Sequence, residues 1–322
     1  MRAFTFGKYY PFHLGHVALI NFALEHCNEL FVLVCASDQE SISVETRINW
    51  ITEHFSNEAR VKVIPFEYKE DELPNSSVSS REISEAWANV FKKKIPDAER
   101  LVTSEKYGDF VSEYMGIQHI YFDQERKHVP VSATEIRKNT YEQWDYLPDA
   151  VKPYFQKSIG FLGTESTGKS SISQALSEAH NSSLVTEVGR EIIPNSNSFT
   201  LEDLKNIAKR HAENIVIAKK NLKPFVLIDT DIYITLSYAQ YNFGEFFDPG
   251  KFVMDANKFD HRFYLLKDDF YQQDGTRLPK DKRDQLDKFH RSTLSQYNVI
   301  YEEVTGNWDQ RFEYIASRLK QI

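Results

Sequence analysis

Gly163-Thr164-Glu165-Ser166-Thr167-Gly168-Lys169-Ser170 decides the fold of the half of the chain in which it lies. It satisfies the pattern G-x-x-x-x-G-K-S/T in full. An apolar run at residues 158–162 precedes it, and an amphipathic stretch at 169–179 follows. Strand, glycine-bearing turn and helix in that order make a cradle for phosphate. Gly163 and Gly168 let the backbone curl so that successive N–H groups, including those of Glu165, Ser166 and Thr167, point inward at an anion. The helix that follows aims the positive end of its dipole at the same place. Lys169 brings a point charge to the β- and γ-phosphates of ATP, the Ser170 hydroxyl faces Mg²⁺, and Ser171 extends the binding run.

Outward from that motif, residues 225–231 read Phe-Val-Leu-Ile-Asp-Thr-Asp, an apolar strand ending in two acids. In a parallel sheet the C-terminal ends of strands face the ligand. Asp229 is thereby placed for the Mg²⁺ shell, and Asp231 for the metal or the acceptor hydroxyl. The alternative for both is a helix cap. The run Thr186-Glu187-Val188-Gly189-Arg190-Glu191 offers an acceptor-binding edge through Glu187, Arg190 and Glu191. Asp274-Gly275-Thr276-Arg277 and then Arg283 read as a charged loop between a strand and a helix. Such a loop suits a lid that brings Arg277 and Arg283 onto the transferring phosphate. Strands at 158–162, 183–187, 225–229, 262–266 and 298–303 alternate with helices at 169–179, 201–221 and 308–320. That alternation implies a parallel sheet.

The first half has the same rhythm. Strands are expected at 3–6, 30–35, 61–65, 100–103 and 119–122, with helices at 15–26, 45–55, 79–94 and 109–115. The fold class is therefore α/β, with two three-layer domains. A Rossmann-like parallel sheet is expected over residues 1–145 and a P-loop kinase sheet over 158–322. An aromatic linker at 146–157, carrying Pro148 and Pro153, joins them.

Gly7-Lys8-Tyr9-Tyr10-Pro11-Phe12-His13-Leu14-Gly15-His16 follows the first strand. Two histidines three apart at a helix N-terminus can donate to phosphate oxygens while the dipole adds its field. Gly7 and Gly15 keep the backbone clear for a nucleotide, Tyr10 stands beside them, and Lys8 adds charge. Taken alone, such a pair of histidines is better accounted for by helix capping with packing. A metal centre lacks a third ligand. Support comes from Val131-Ser132-Ala133-Thr134-Glu135-Ile136-Arg137, where Ser132, Thr134 and Arg137 make an anion pocket after the last strand of the alternation.

The net charge of −8 leaves no basic field for nucleic acid or anionic membrane. The two cysteines, Cys27 and Cys35, lie in apolar stretches and suit reduced core thiols. No apolar run reaches the about 20 residues of a membrane helix. A soluble, cytoplasmic protein is expected, with homo-oligomerisation left open.

These motifs resemble the H-x-G-H nucleotidyltransferases. Their order resembles the NadR-type bifunctional enzymes, in which nicotinamide mononucleotide adenylyltransferase is fused to ribosylnicotinamide kinase. The likeness spans nearly the whole chain. It includes Gly-Lys-x-Tyr-Pro at 7–11, Arg47 and Trp50, Val-Ser-Ala-Thr at 131–134, Gly-Arg-Glu at 189–191, Ile-Asp-Thr-Asp at 228–231 and Asp-Gly-x-Arg at 274–277.

The resemblance implies ATP, nicotinamide riboside, nicotinamide mononucleotide and NAD as ligands, with Mg²⁺ carried on ATP. It implies catalytic roles for His13, His16, Lys8, Arg137, Lys169, Asp229, Asp231 and Arg277, and substrate contacts through Arg47, Trp50, Trp87, Glu187, Arg190 and Glu191. Three departures stand out. The chain begins at the first strand, without the repressor's helix-turn-helix. The pyridine-stacking tryptophans are not aligned near 76–87, although Trp87 is close. Alanine stands at 133 where many adenylyltransferases have serine. The rival readings are a coenzyme A-synthesising adenylyltransferase/kinase and a nucleotide-sensing regulator without turnover.

Overall fold

The computed structural model describes residues 1–73, 80–125, 127–193, 199–267 and 280–322. The chain divides into two compact units, Met1–Tyr154 and Phe155–Ile322.

The first unit contains β1 (Arg2–Gly7), α1 (Leu14–Leu24), β2 (Glu29–Ser37), α2 (Val44–His54), β3 (Val61–Tyr68), α3 (Arg81–Lys94), β4 (Arg100–Thr103), α4 (Tyr107–Met115), β5 (Gln118–Tyr121) and α5 (Ala133–Lys138). A 3₁₀ turn (Trp144–Tyr146) and α6 (Lys152–Phe155) follow. The sheet order is β3-β2-β1-β4-β5, all parallel. β2 reads Glu-Leu-Phe-Val-Leu-Val-Cys-Ala-Ser, a near-continuous apolar run. Such a run suits a strand covered by helices on both faces. Phe4, Leu33, Trp87, Phe91 and Leu101 share one buried cluster. Both cysteines are free thiols, and burial pushes Cys35 up to about 12.

The second unit contains β6 (Lys157–Leu162), α7 (Lys169–Ala179), β7 (Ser183–Val185), α8 (Gly189–Ile192), α9 (Leu201–Lys219), β8 (Phe225–Asp229), α10 (Ile232–Phe243), α11 (Gly250–Ala256), β9 (His261–Leu265), α12 (Lys280–Gln296), β10 (Glu302–Val304) and α13 (Trp308–Leu319). Its sheet is also parallel, in the order β10-β9-β6-β8-β7.

Three features differ from the sequence-based expectation. β10 begins at Glu302, not 298, because Asn298 takes a left-handed backbone (φ 53°) as the chain turns out of α12. The chain forms α10 directly after the two acids, where no helix was expected and the first turns carry β-branched Ile232, Ile234 and Thr235. Thr230 (φ 72°) breaks the strand, and the Asp231 side chain accepts from Tyr233 N and Ile234 N to start the helix. Arg283, expected in an open loop, lies within α12 and is buried.

Candidate active sites

In the first unit, order 3-2-1-4-5 places the topological switch point between β1 and β4. Ligands bind outside the strand C-termini at such a point. A cavity of about 290 Å³ lies there, lined by Gly7, Lys8, His13, Gly15 and His16 from the β1–α1 turn. Thr103, Ser104, Glu105 and Tyr107 line it from the end of β4, and Ser132, Ala133 and Thr134 from the start of α5. Motifs more than 100 residues apart in sequence thus meet in one cleft.

The histidines cap their helix as well as line the cleft. His13 is the N-cap residue of α1, and its Nδ1 accepts from Gly15 N at 3.1 Å. His16 Nδ1 accepts from His13 N at 3.3 Å, completing a capping box. The two ring centroids lie 3.8 Å apart with the planes tilted by 31°. With each Nδ1 accepting, the neutral rings carry their proton on Nε2, which makes Nε2 a donor. Capping and anion binding, posed as alternatives by the sequence, are here one arrangement: the cap fixes the tautomer that donates. A Cβ at position 15 would stand 2.8 Å from the His13 ring, so glycine is what lets that ring fold back.

Ser132 caps α5 in a second box, accepting from Glu135 N while Glu135 Oε2 takes Ser132 N and Oγ, both at 2.8 Å. Arg137 donates to Thr134 Oγ1 at 3.0 Å and to the Tyr10 carbonyl. Arg137 and Arg47 each lie over the Tyr10 ring, at 4.9 and 4.8 Å. Lys8 Nζ pairs with Glu40 at 2.7 Å at the cleft edge.

The expected substrate contacts Arg47, Trp50 and Trp87 are absent from this lining. Arg47 is fully buried and spends its guanidinium on the Ile42 and Lys8 carbonyls and on Glu40. It holds the β1–α1 turn in shape from behind. Trp50 is buried and packs edge-on against Tyr154 at 5.3 Å. Trp87 is a core residue between Phe6, Phe66, Tyr68 and Phe91. Sequence reading missed Thr103, Ser104 and Glu105, whose signal was their place directly after β4 beside the switch point. Thr103 Oγ1 lies 2.9 Å from His119 Nε2, and His119 Nδ1 lies 2.8 Å from Asp109. A buried imidazole thereby links the cleft wall to a surface carboxylate.

In the second unit, Gly163, Glu165, Ser166, Thr167, Gly168, Lys169, Ser170 and Ser171 line a cavity of about 260 Å³ together with Glu187, Thr230, Ile234 and Tyr238. Gly163 (φ 130°), Ser166 (φ 62°) and Gly168 (φ 84°) supply the curl. A Cβ on Gly163 would lie 2.6 Å from the Leu265 carbonyl, so that approach excludes any side chain. Lys169 Nζ donates to the carbonyls of Gly163 and Thr164, each at 2.9 Å, closing the loop on itself. Ser170 Oγ donates to Asp229 Oδ2 at 2.5 Å, while Asp229 Oδ1 is buried without a hydrogen-bond partner. A hydroxyl and an unsatisfied carboxylate oxygen side by side fit a hard, oxygen-seeking cation. Among the described residues no cluster of three metal-ligating side chains exists.

Asp231 does not line this cleft. Its Oδ1 caps α10 through Tyr233 N and Ile234 N, at 3.0 and 3.1 Å, and its Oδ2 accepts from Arg262 Nε at 3.0 Å. Burial pushes its carboxyl above the usual range, and Arg262 opposes that shift. The capping alternative therefore describes Asp231, and the catalytic role does not. Glu191 is exposed on α8, away from the lining, and Arg283 is enclosed in α12. Arg277 and the Arg190 side chain lie outside the described residues. Sequence reading missed Tyr238 because it missed α10. Burial and the Glu165 carboxylate hold the Tyr238 phenol well above its ordinary value.

Residues 4–139 match the cytidylyltransferase-like family model and residues 158–311 match a model described as an AAA domain. Each covers one unit. The chain is 26% identical over 334 residues to the trifunctional NAD biosynthesis/regulator protein NadR of Escherichia coli K12, covering 96% of this chain and 80% of that protein. It is equally identical, over 344 residues, to the protein of the same name from Salmonella typhimurium LT2. The chain is thus similar to NadR along nearly its whole length. A crystal structure of NadR in complex with NR superposes with a TM-score of 0.66 at 18% identity, covering 99% of this chain and 95% of that one. A NadR complex with NAD and AMP-PNP gives 0.64. Those likenesses run through both parallel-sheet units and agree with the fold of each.

Proposed function

We propose that the chain is a bifunctional transferase of NAD biosynthesis. The P-loop unit phosphorylates nicotinamide riboside with ATP. The first unit transfers the adenylyl group of a second ATP to the resulting mononucleotide, giving NAD and pyrophosphate. The observation that carries this reading is the convergence of two independent phosphate-binding clefts, each at the C-terminal edge of its own parallel sheet, in a chain similar to NadR along both units.

In the kinase step the riboside 5′-hydroxyl oxygen attacks the γ-phosphorus and the bond to the β-phosphate oxygen breaks. The loop amides of residues 163–170, the α7 N-terminus and Lys169 hold the phosphates. ATP displaces Lys169 from the Gly163 and Thr164 carbonyls. Glu187, a carboxylate lining the cleft, takes the hydroxyl proton, whereas Asp231 is committed to its helix. Ser170 and Asp229 would hold Mg²⁺, which would supply charge neutralisation at the phosphates.

The adenylyl step needs less proton chemistry. A phosphate monoester is already anionic at neutral pH, so alignment and charge stabilisation suffice. Its oxygen attacks the α-phosphorus and pyrophosphate leaves. His13 and His16 donate from Nε2, Lys8 adds charge, and the α1 N-terminus adds its field. Arg137 and Arg47 shape the loop through Tyr10 and the Lys8 carbonyl. Buried reduced thiols and the absence of a membrane-crossing helix among the described residues support a cytoplasmic setting.

The test is a coupled assay. Nicotinamide riboside and ATP are supplied, and mononucleotide and NAD are followed separately by chromatography. The mononucleotide is expected first and NAD after it. Pyrophosphate release with phosphopantetheine but not with nicotinamide mononucleotide would overturn the assignment.

A further inference from the structure

The cradle's lysine and serine belong to its motif, but one residue that shapes it comes from the far end of the chain. Arg311 on α13 is buried, with 2% of its surface exposed. Its Nη1 donates to the Thr167 carbonyl at 2.8 Å, and its Nε donates to the Gly306 carbonyl at 2.6 Å. Gly306 takes a left-handed backbone (φ 103°), which turns its carbonyl toward the arginine before Asn307 caps α13. The guanidinium therefore ties the P-loop to the β10–α13 turn.

The consequence follows from the peptide bond itself. A trans peptide is planar, and its C=O and N–H point in opposite directions. Drawing the Thr167 carbonyl toward Arg311 turns the N–H of Gly168 the other way. Thr167 and Gly168 both line the phosphate cleft, while Arg311 is not part of its lining. Gly168 at φ 84° has no side chain to oppose the rotation, and a flip of this one peptide would aim a carbonyl dipole at an anion.

We infer that Arg311 is a positioning residue for ATP. It fixes the Thr167–Gly168 peptide with its N–H facing the phosphates, and it acts without touching the nucleotide. This rests on the reading of the P-loop unit as the ATP site of a kinase. The two-pronged geometry also makes arginine specific: a lysine can reach one carbonyl but cannot fork to both.

The test uses the full chain and ADP with Mg²⁺, so that no acceptor is required. Hydrogen exchange is followed over the peptide containing residues 163–170 as ADP is titrated. In the wild type ADP should slow exchange there. Arg311→Met should require about tenfold more ADP for the same protection, as for a lost hydrogen bond from a charged group. Arg311→Lys should fall between the two. In steady state KM for ATP in riboside phosphorylation should rise while KM for riboside is unchanged and adenylyl transfer is unaffected. Unaltered protection in a folded Arg311→Met protein would overturn the inference. So would equal rises in both KM values accompanied by a lowered melting temperature, the mark of a purely structural role. Should Arg311→Met not fold, Arg311→Lys with wild-type protection and KM for ATP would overturn it equally. If the wild type is protected by ADP yet phosphorylates no riboside, the kinase assignment fails while the exchange data still judge Arg311.

Discussion

The two clefts are similar in size, about 290 and 260 Å³, and sit at equivalent edges of two parallel sheets. They are built in different ways. The P-loop site is chiefly backbone: eight consecutive residues, three of them at positive φ, followed by a helix. The first site is chiefly side chain, with two histidines, a lysine and four serine and threonine hydroxyls drawn from segments that only the fold unites. A backbone cradle is written in contiguous glycines and can be read locally. A side-chain cradle is written in separate fragments, each with an ordinary structural explanation until topology joins them. The same contrast marks the histidines. Those of the first site sit at a helix start and line the cleft. Two of the four histidines of the second unit, His211 and His290, are buried, and desolvation lowers them to about 4 and about 3.

The sharpest break of this comparison is at Asp229. Asp229→Asn should lower riboside phosphorylation about 1000-fold, since the carboxylate would hold the cation that neutralises the transferring phosphate. Adenylyl transfer in the same preparation should not change. Next comes Asp231. Asp231→Ala removes a helix cap and leaves the partly buried Arg262 without its carboxylate, which should cost the second unit about 3 kcal/mol. Denaturant melting followed separately in the two units should show the second one shifted and the first unmoved. A stable variant with lost kinase turnover would return Asp231 to the chemistry.

His16→Ala should reduce adenylyl transfer about 100-fold, with riboside phosphorylation retained. An unaffected transfer rate would remove this ring from the mechanism and leave it as a cap. The smallest effect concerns acid. A histidine free in the unfolded chain titrates near 6.5, whereas His211 and His290 stay neutral to about 4 and about 3. Between those values the unfolded second unit binds more protons than the folded one. Its stability is therefore complete above about pH 6.5 and is lost as pH falls below it. Hydrogen exchange at pH 7 and pH 5 should show protection falling more in the second unit than in the first.

The P-loop, Asp229 and the strand alternation were legible because each depends on local chemistry. α12 was not. Its sequence is mostly polar, yet Leu286, His290 and Leu294 recur every fourth residue and are buried, with a histidine interrupting the apolar stripe. α10 was hidden by its β-branched start, and with it Tyr238 and the capping role of Asp231. Trp87 and Arg47 were misplaced for a related reason. Aromatic and cationic residues near a site in sequence serve equally well as its supports, and only burial separates the two uses.

The central claim is that the chain holds two separable ATP-using sites. Lys169→Ala in the full chain tests it most directly, with riboside phosphorylation and adenylyl transfer to the mononucleotide measured on one preparation. Riboside phosphorylation should fall about 1000-fold with adenylyl transfer unchanged. Loss of both activities together in a folded protein would contradict the account.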